Sequence, residues 1–293
     1  MESEHFFLKV NKILDRIENI ISDGTRCINF DDHSAFRWSK TGLVNSKLIP
    51  IRQYDRITID DLIGITPQVD KVDRNTEQFV NDLPANNILL TGARGTGKSS
   101  LIKSVFKKHM GSNLKLIELG RDSLCDIQDV LDVVAEVRYK FIIFCDDLSF
   151  ELTDQGYKAL KAALDGSMLS IPKNVLIYAT SNRRHLIREY FEDNLPSDQK
   201  KGEIHPSESV EESISLSERF GLWISFYPFD QSTYLAIVSY WISFFGGNVL
   251  DDTECKHEAL QWALSRGSRS GRVAKQFAIA WIGKNIKIRK SEN

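Results

Sequence analysis

Apolar residues recur along this chain with two different spacings, and each spacing predicts a different kind of element. Between Glu4 and Ser22 they recur mostly every three to four positions, which predicts one amphipathic helix. From residue 24 to 58 the pattern is irregular and predicts neither a helix nor a strand. After Asp60, short apolar runs alternate with helix-length amphipathic segments, which is typical of parallel βαβ units.

Five of the apolar runs are predicted to be the core strands of one parallel sheet. Nearly continuous apolar runs are expected where helices cover both faces of such a sheet. The runs are Asn87–Gly92, Leu114–Leu119, Lys140–Asp147, Asn174–Ser181 and Leu222–Pro228. The predicted fold class is therefore α/β, with helices on both faces of the sheet.

The C-terminal part of the chain has no strand pattern and is predicted to form a small helical domain, here called the lid. Its three amphipathic segments lie around Gln231–Phe245, Glu254–Ser265 and Gly271–Ile286. A polar stretch at Phe191–Ser215 is interpreted as a surface excursion. The predicted division of the chain is an N-terminal helical accessory segment at 1–58, an α/β domain at 59–229 and the lid at 230–293.

Composition and charge argue against several classes of protein. The 293 residues carry 38 Lys and Arg against 40 Asp and Glu, so the net charge of −2 removes the simplest argument for a polybasic nucleic-acid binder. No apolar stretch approaches the roughly 18 residues of a membrane-spanning helix. The acidic N-terminus, MESEHFF, is unlike a targeting signal, so a cytoplasmic location is expected. The four cysteines form no CxxC pair, which fits neither a disulfide framework nor a zinc site.

One segment matches a phosphate-binding motif. The sequence GARGTGKS, here called the phosphate loop, follows the pattern G-x-x-x-x-G-K-[ST] between a predicted strand and a predicted helix. Its glycines let backbone N–H groups surround phosphate oxygens at a helix N-terminus. Lys98 would contact the β- and γ-phosphates, and the Ser99 hydroxyl would complete a magnesium shell. The predicted phosphate-binding residues are Gly92, Ala93, Arg94, Gly95, Thr96, Gly97, Lys98, Ser99 and Ser100.

Two carboxylates follow the predicted strand FIIFC. Asp146 is predicted to hold magnesium, directly or through water, and Asp147 to orient or deprotonate an attacking water. Taken alone, such residues could simply cap the end of a strand. Asn182 ends the next strand, where its amide could sense a γ-phosphate, although it could instead cap a turn. The neighbouring Arg183 and Arg184 could solvate this edge or contact another subunit.

In this order, the motifs resemble those of the AAA-type P-loop ATPases, over about Ile59 to Trp281. The sequence DLIGI resembles the family's N-terminal linker, which implies that Ile63 and Gly64 line an adenine pocket. By the same resemblance, Asn182 is the residue called sensor 1.

Two arginines enter through the same resemblance. LSERFGLWISFYPFD resembles the box that carries an arginine finger, and the matching residue is Arg219, which would reach the γ-phosphate of a neighbouring subunit. A surface pair with Glu218 or Glu212 is the alternative for this arginine. GSRSGRVAKQFA resembles the helix that carries sensor 2. The sensor 2 residue is then Arg272, with Arg269 as the second choice.

A closer resemblance is to a bacterial AAA-type family still labelled as a domain of unknown function. It implies binding of ATP with Mg²⁺, hydrolysis, and a homo-oligomer whose arginine finger acts in trans on a neighbour. Remodelling of a client protein that the sequence does not name is the work we expect. The Asp146–Asp147 pair is similar to that of bacterial replication initiators and helicase loaders.

That similarity leaves two alternatives open. One is a loader or nucleic-acid-associated switch that uses ATP as a signal rather than as fuel. The other is a nucleotide-gated scaffold with negligible turnover.

Overall fold

A computed structural model of the chain describes residues 30–41, 45–54, 57–150, 154–165, 171–182, 216–247 and 253–291. Several predictions therefore lie outside the described residues. They are the helix at Glu4–Ser22, the surface excursion at Phe191–Ser215, and the roles of Arg183 and Arg184.

The described residues form one seven-stranded sheet with the strand order β2-β1-β4-β5-β6-β3-β7. All neighbouring strands run parallel except the β1–β2 pair, which is antiparallel. The strands are β1 (Ala35–Thr41), β2 (Asn45–Pro50), β3 (Ile88–Gly92), β4 (Leu114–Leu119), β5 (Lys140–Cys145), β6 (Val175–Ser181) and β7 (Leu222–Phe226).

All five predicted core strands are confirmed, as β3 to β7. The predictions ran two residues too far at two ends, because β5 stops at Cys145 and β7 at Phe226. Asp146 and Asp147 are therefore in the loop after β5, where side chains do not have to alternate between the two faces of the sheet.

Strands β1 and β2 lie in the segment for which the sequence pattern predicted no strand. β1 extends the sheet by pairing in parallel with β4, with Phe36 opposite Ile117. Phe36 and Trp38 are buried, whereas Arg37 between them is exposed and paired with Glu118 at 3.0 Å. A strand near the edge of a sheet alternates in this way, so a search for continuous apolar runs passes over it.

Helices cover both faces of the sheet, so each central strand contributes to two cores. The four helices are α1 (Thr66–Val80), α2 (Lys98–His109), α3 (Ile127–Val134) and α4 (Gln155–Leu164). Leu90 and Ile142 pack on one face, against α1 and α2. Leu89 and Ile143, their neighbours in sequence, pack on the opposite face against α3 and α4. This two-sided burial is the reason for the nearly continuous apolar runs.

The predicted lid helices are confirmed. They are α5 (Gln231–Phe244), α6 (Thr253–Ser265) and α7 (Gly271–Ser291). α5 begins at a helix cap, in which the backbone N–H of Thr233 donates to the Asp230 carboxylate at 2.7 Å. Tyr234, Trp241 and Phe277 are buried in the same cluster as the α1–α2 face of the sheet. Among the described helices, none has both the length and the apolar character needed to cross a membrane.

A buried polar network ties α1 to the central strand β6. Asn75, only 5% exposed, donates from Nδ2 to the carbonyl oxygen of Asn86 at 2.9 Å and to the Tyr178 hydroxyl at 3.1 Å. Its Oδ1 accepts from the backbone N–H of Asn86 at 3.0 Å. One side chain thus satisfies both backbone groups of Asn86 in the approach to β3, and it contacts the middle of β6.

We predict that Asn75→Ala lowers the free energy of unfolding by about 2–4 kcal/mol, because it leaves buried backbone and hydroxyl groups without partners. Equilibrium urea denaturation measures this loss. The matched control is Gln128→Ala, which removes a surface hydrogen bond to Asp132 within α3. That substitution should change stability by less than about 0.5 kcal/mol. Equal, small effects of the two substitutions would contradict the role given to Asn75.

Candidate functional site

A cleft of about 560 Å³ lies where the carboxyl ends of the strands meet the lid. Ligands of open α/β sheets bind at this end of the strands. The cleft is built from the phosphate loop, the loops after β5 and β6, the linker before α1, and helices α5 and α7. The predicted site residues that line it are Ile63, Arg94, Gly95, Thr96, Gly97, Lys98, Ser99, Ser100, Asp146, Asp147, Asn182 and Arg272.

The phosphate loop connects β3, which ends at Gly92, to α2, which begins at Lys98. Gly92 has a φ of +133°, and a Cβ atom there would lie 1.9 Å from the carbonyl oxygen of Phe226. Gly97, with a φ of +102°, makes the left-handed turn that starts the helix. Only glycine fits such positions without strain. Gly92 and Ala93 thus shape the loop through their backbone.

Lys98 lies under this loop and is only 6% exposed. Its Nζ donates to the carbonyl oxygens of Gly92 at 2.7 Å and Ala93 at 2.8 Å, and to Asn182 Oδ1 at 3.0 Å. Burial lowers the pKa of Lys98 to about 8, although the carboxylates of Asp147 and Asp146 act in the opposite direction. The ammonium group is therefore partly desolvated and held at the centre of the loop.

The side chains after β5 and β6 form two hydrogen-bonded groups with the phosphate loop. The Ser99 hydroxyl donates to Asp146 Oδ1 at 2.5 Å. Asn182 links the other members, because its Oδ1 accepts from Lys98 while its Nδ2 donates to Asp147. The structure thus brings together five of the polar residues that the sequence proposed for phosphate and magnesium chemistry: Lys98, Ser99, Asp146, Asp147 and Asn182.

The donor set at Ser99 and Asp146 fits a magnesium ion. Mg²⁺ in phosphate sites binds through one or two protein oxygens and completes its shell with phosphate oxygens and water. A hydroxyl and a carboxylate in contact beside the N-terminus of α2 provide this arrangement. Ser99 and Asp146 would hold the ion, and when bound it would neutralise the charge of the phosphates.

The other end of the cleft is largely apolar. Ile63 lines it together with Trp241 of the lid. Gly64 does not line the cleft, but its φ of +79° and missing side chain let the linker approach α5. A Cβ atom there would lie 2.4 Å from Thr233 Cγ2. The linker is also joined to the lid by a hydrogen bond from the Tyr240 hydroxyl to Asp61. Ile63 and Trp241 thus give this part of the cleft apolar surface, and the contacts of Gly64 and Asp61 hold the linker against the lid.

The lid brings Arg272, not Arg269, to the cleft. The N-terminus of α7 packs directly on the phosphate loop, where the Arg272 backbone N–H donates to the carbonyl oxygen of Gly95 at 3.4 Å. Arg269 is exposed outside the cleft. Hydrogen bonds from Thr233 and Ser232 lower the pKa of the Asp230 carboxyl, and the charge of Arg269 adds a smaller effect in the same direction.

Arg219 is not among the residues that line the cleft. Its guanidinium forms an ion pair with the carboxylate of Asp165, at the end of α4, and both side chains are about one third exposed. Asp165 is a partner that the sequence analysis did not consider. A role of Arg219 at a neighbouring subunit stays a prediction.

Among the cleft residues to which the sequence gave no role at the site are Thr180, Lys275 and Trp241. Thr180 bonds to both Asp146 and Asp147, yet a threonine at the end of a strand is too common to single out. Lys275 follows Arg272 by three positions on α7, and the i, i+3 spacing of two basic residues is a signal that could have found it. Its Nζ lies 4.3 Å from the ring centroid of Trp241, the third residue, which the sequence assigned only to core packing.

This sheet order, with a phosphate loop after β3, carboxylates after β5, an asparagine after β6 and a helical lid, is the fold of the AAA+ P-loop ATPases. The chain itself belongs to the family described as "Protein of unknown function (DUF815)", whose model matches residues 31–285. A comparison with curated proteins found no match.

Two solved structures show the likeness of fold. A point mutant of RuvB from Thermotoga maritima has a TM-score of 0.52 and 13% identity, over 75% of this chain and 63% of that one. The ORC1 protein of Aeropyrum pernix, solved in complex with DNA, has a TM-score of 0.52 and 14% identity, over 76% of this chain and 61% of that one. The present chain thus spans less than two thirds of either protein.

The lowered pKa of Lys98 predicts that ATP affinity falls at alkaline pH. Below about pH 8 the ammonium group is charged and attracts phosphate, and above it the free protein increasingly holds a neutral amine. We expect the dissociation constant for Mg-ATP to rise on the order of tenfold between about pH 7.5 and 9.5, where the phosphates themselves stay ionised.

Fluorescence titration with a labelled ATP analogue measures this change. The control is Lys98→Ala, which should bind more weakly at every pH and without the alkaline loss. An affinity of the wild-type protein that stays constant across this range would show that the charge of Lys98 does not contribute to binding.

Proposed function

We propose that this protein binds ATP with Mg²⁺ and hydrolyses it, as an AAA+ ATPase that remodels a partner protein or complex. The observation that carries the proposal is the connected network of Lys98, Asn182 and Asp147 beside the Ser99–Asp146 contact, all in one cleft. These residues provide each group that γ-phosphate transfer needs: a cation for the phosphates, oxygens for magnesium, and a carboxylate for water.

The chemistry is assigned to the residues as follows. Backbone N–H groups of the phosphate loop and the Lys98 ammonium bind the β- and γ-phosphates. Ser99 and Asp146 hold the magnesium ion. Asp147, which is exposed to the cleft, accepts a proton from the attacking water or orients it. Asn182 contacts both Lys98 and Asp147. A γ-phosphate bound at Lys98 would therefore change the position of the Asp147 carboxylate through Asn182.

The apolar end of the cleft supports adenine as the base. Ile63 and Trp241 offer apolar surface on the linker and the lid. Because one wall belongs to the linker and the other to the lid, a bound base would hold the two together. Nucleotide binding would thereby favour one position of the lid, which is how an ATPase of this type couples chemistry to movement.

Two arginines would contact the γ-phosphate from different directions. Arg272 reaches it from the lid of the same chain, since it lines the cleft beside Gly95. Arg219 lies outside this cleft, so we assign it to the site of a neighbouring copy in a homo-oligomer. In a head-to-tail ring every copy would receive one such arginine and provide another.

Comparison of the two lid arginines tests the assignment of sensor 2. We expect Arg272→Ala to lower kcat about 10- to 100-fold, because a cation facing the transferred phosphate is removed. Arg269→Ala is the matched control, since it removes the same charge three positions away but outside the cleft, and it should leave kcat within about twofold. Steady-state phosphate release reports both values. Equal losses in the two variants would argue against the assignment.

A mixing experiment tests whether Arg219 acts in trans. Turnover per chain should rise with protein concentration in the wild type and should be lost in both Lys98→Ala and Arg219→Ala. When these two inactive proteins are mixed, some sites combine an intact Lys98 with an intact Arg219 from a neighbour. We expect about a quarter of the wild-type rate from random mixing, because each active site needs one particular pair of neighbours.

Mass photometry of the same samples shows whether the variants assemble. Asp165→Asn separates the trans role from the ion pair within the chain, because it removes the carboxylate charge that pairs with Arg219 and keeps the arginine. That variant should retain turnover. Mixed samples that stay inactive although they assemble would exclude a trans-acting Arg219.

A further inference from the structure

The Thr180 hydroxyl lies between the two acidic residues of the site and bonds to both. Its Oγ1 donates to Asp146 Oδ1 at 2.6 Å and accepts from the backbone N–H of Asp147 at 2.9 Å. A carboxylate only accepts and an amide N–H only donates, so these two partners fix the direction of the single hydroxyl proton. Thr180 is 1% exposed although it lines the cleft, so both bonds are largely shielded from solvent.

The backbone that Thr180 holds is in an uncommon conformation. Asp147 has a φ of +54°, in the left-handed region that residues other than glycine rarely adopt. Such a conformation persists only where the surrounding contacts determine it. Besides the Thr180 hydroxyl, two contacts from β6 hold this turn: the Leu148 N–H donates to the carbonyl oxygen of Thr180, and Ser181 Oγ donates to the carbonyl oxygen of Leu148, both at 2.7 Å.

The left-handed turn decides where the Asp147 side chain points. It places the carboxylate in the cleft, beside Asn182, instead of continuing the direction of β5. Asp146 is oriented by the same hydroxyl together with Ser99, since both donate to its Oδ1. One side chain therefore constrains both acidic residues that the proposed reaction uses.

We propose that Thr180 is a positioning residue for ATP hydrolysis. Its hydroxyl sets the Asp146 carboxylate for magnesium and the Asp147 turn for the attacking water, without touching the substrate. The inference rests on the proposed function and adds to it a residue that neither the phosphate-loop motif nor the acidic pair contains.

Thr180→Val tests the proposal because it keeps the shape of the side chain and removes the hydroxyl. We expect kcat to fall about 10- to 100-fold, the usual effect of losing a group that orients a metal ligand, with KM within about threefold. Added Mg²⁺ should increase the affinity of the wild type for a fluorescent ATP analogue. In Thr180→Val the factor of this increase should be smaller by at least about tenfold. Thr180→Ser keeps the hydroxyl and should restore both quantities to within about threefold.

The control is Thr76→Val, which also removes a buried hydroxyl. That hydroxyl bonds to the carbonyl oxygen of Val72 and to the Tyr178 hydroxyl, and it has no bond to the acidic pair. It should lower the melting temperature and leave kcat and the Mg²⁺ effect unchanged. If Thr180→Val does not fold, Thr180→Ala, which lacks the hydroxyl and one methyl group, gives the same readings.

The outcomes separate this inference from the proposed function. Wild-type turnover together with unchanged kcat and Mg²⁺ effect in Thr180→Val would overturn the role of Thr180 and leave the proposed function standing. A second outcome is that the wild type does not turn over ATP, while Mg²⁺ increases its ATP affinity and this increase is lost in Thr180→Val and kept in Thr180→Ser. That outcome would overturn hydrolysis and support the positioning of Asp146. Equal losses in the valine and serine variants would show a packing role only.

Discussion

The candidate site depends on the parallel pairing of β6 with β5 on one side and with β3 on the other. In this register Cys145 lies opposite Ala179, and Leu90 lies opposite Thr180. Parallel strands end at the same edge of a sheet, so Asp146, Thr180 and the phosphate loop meet there. A shift of one residue would turn every side chain of β6 to the opposite face. The apolar residues buried on both faces therefore determine the chemistry at the strand ends.

Electrostatics then favour an anionic ligand at that edge. Arg94, Lys98 and Arg272 all line the cleft, against the two carboxylates of the acidic pair. The two arginines contribute to lowering the pKa of Lys98, after burial, so the cations repel one another. A polyphosphate between them would relieve this repulsion. Hydrogen bonds from Lys98 to two loop carbonyls hold the ammonium group in place in the absence of a ligand.

The sequence predicted the parts of the site that a local motif defines. The phosphate loop, Asp146 and Asn182 follow strands whose two-sided burial makes them visible as apolar runs. Strands β1 and β2 were missed because their burial is one-sided. Thr180 was given no role because its importance lies in contacts with the loop after β5, which no local pattern encodes. The ion pair of Arg219 with Asp165 joins residues more than fifty positions apart, so no local sequence pattern could predict it.

That ion pair bears on how assembly would control turnover under the proposed function. Within one chain the guanidinium of Arg219 is engaged by Asp165, so reaching a neighbour's γ-phosphate requires this pair to break or to share its donors. A partly exposed pair is weak, worth about 1 kcal/mol or less, whereas the phosphate of a bound nucleotide carries more charge than a carboxylate. Arg219 would therefore exchange the Asp165 carboxylate for a γ-phosphate only where a nucleotide-loaded neighbour is in place. Asp165 would then keep the arginine ordered until assembly, and turnover would follow the presence of a neighbour.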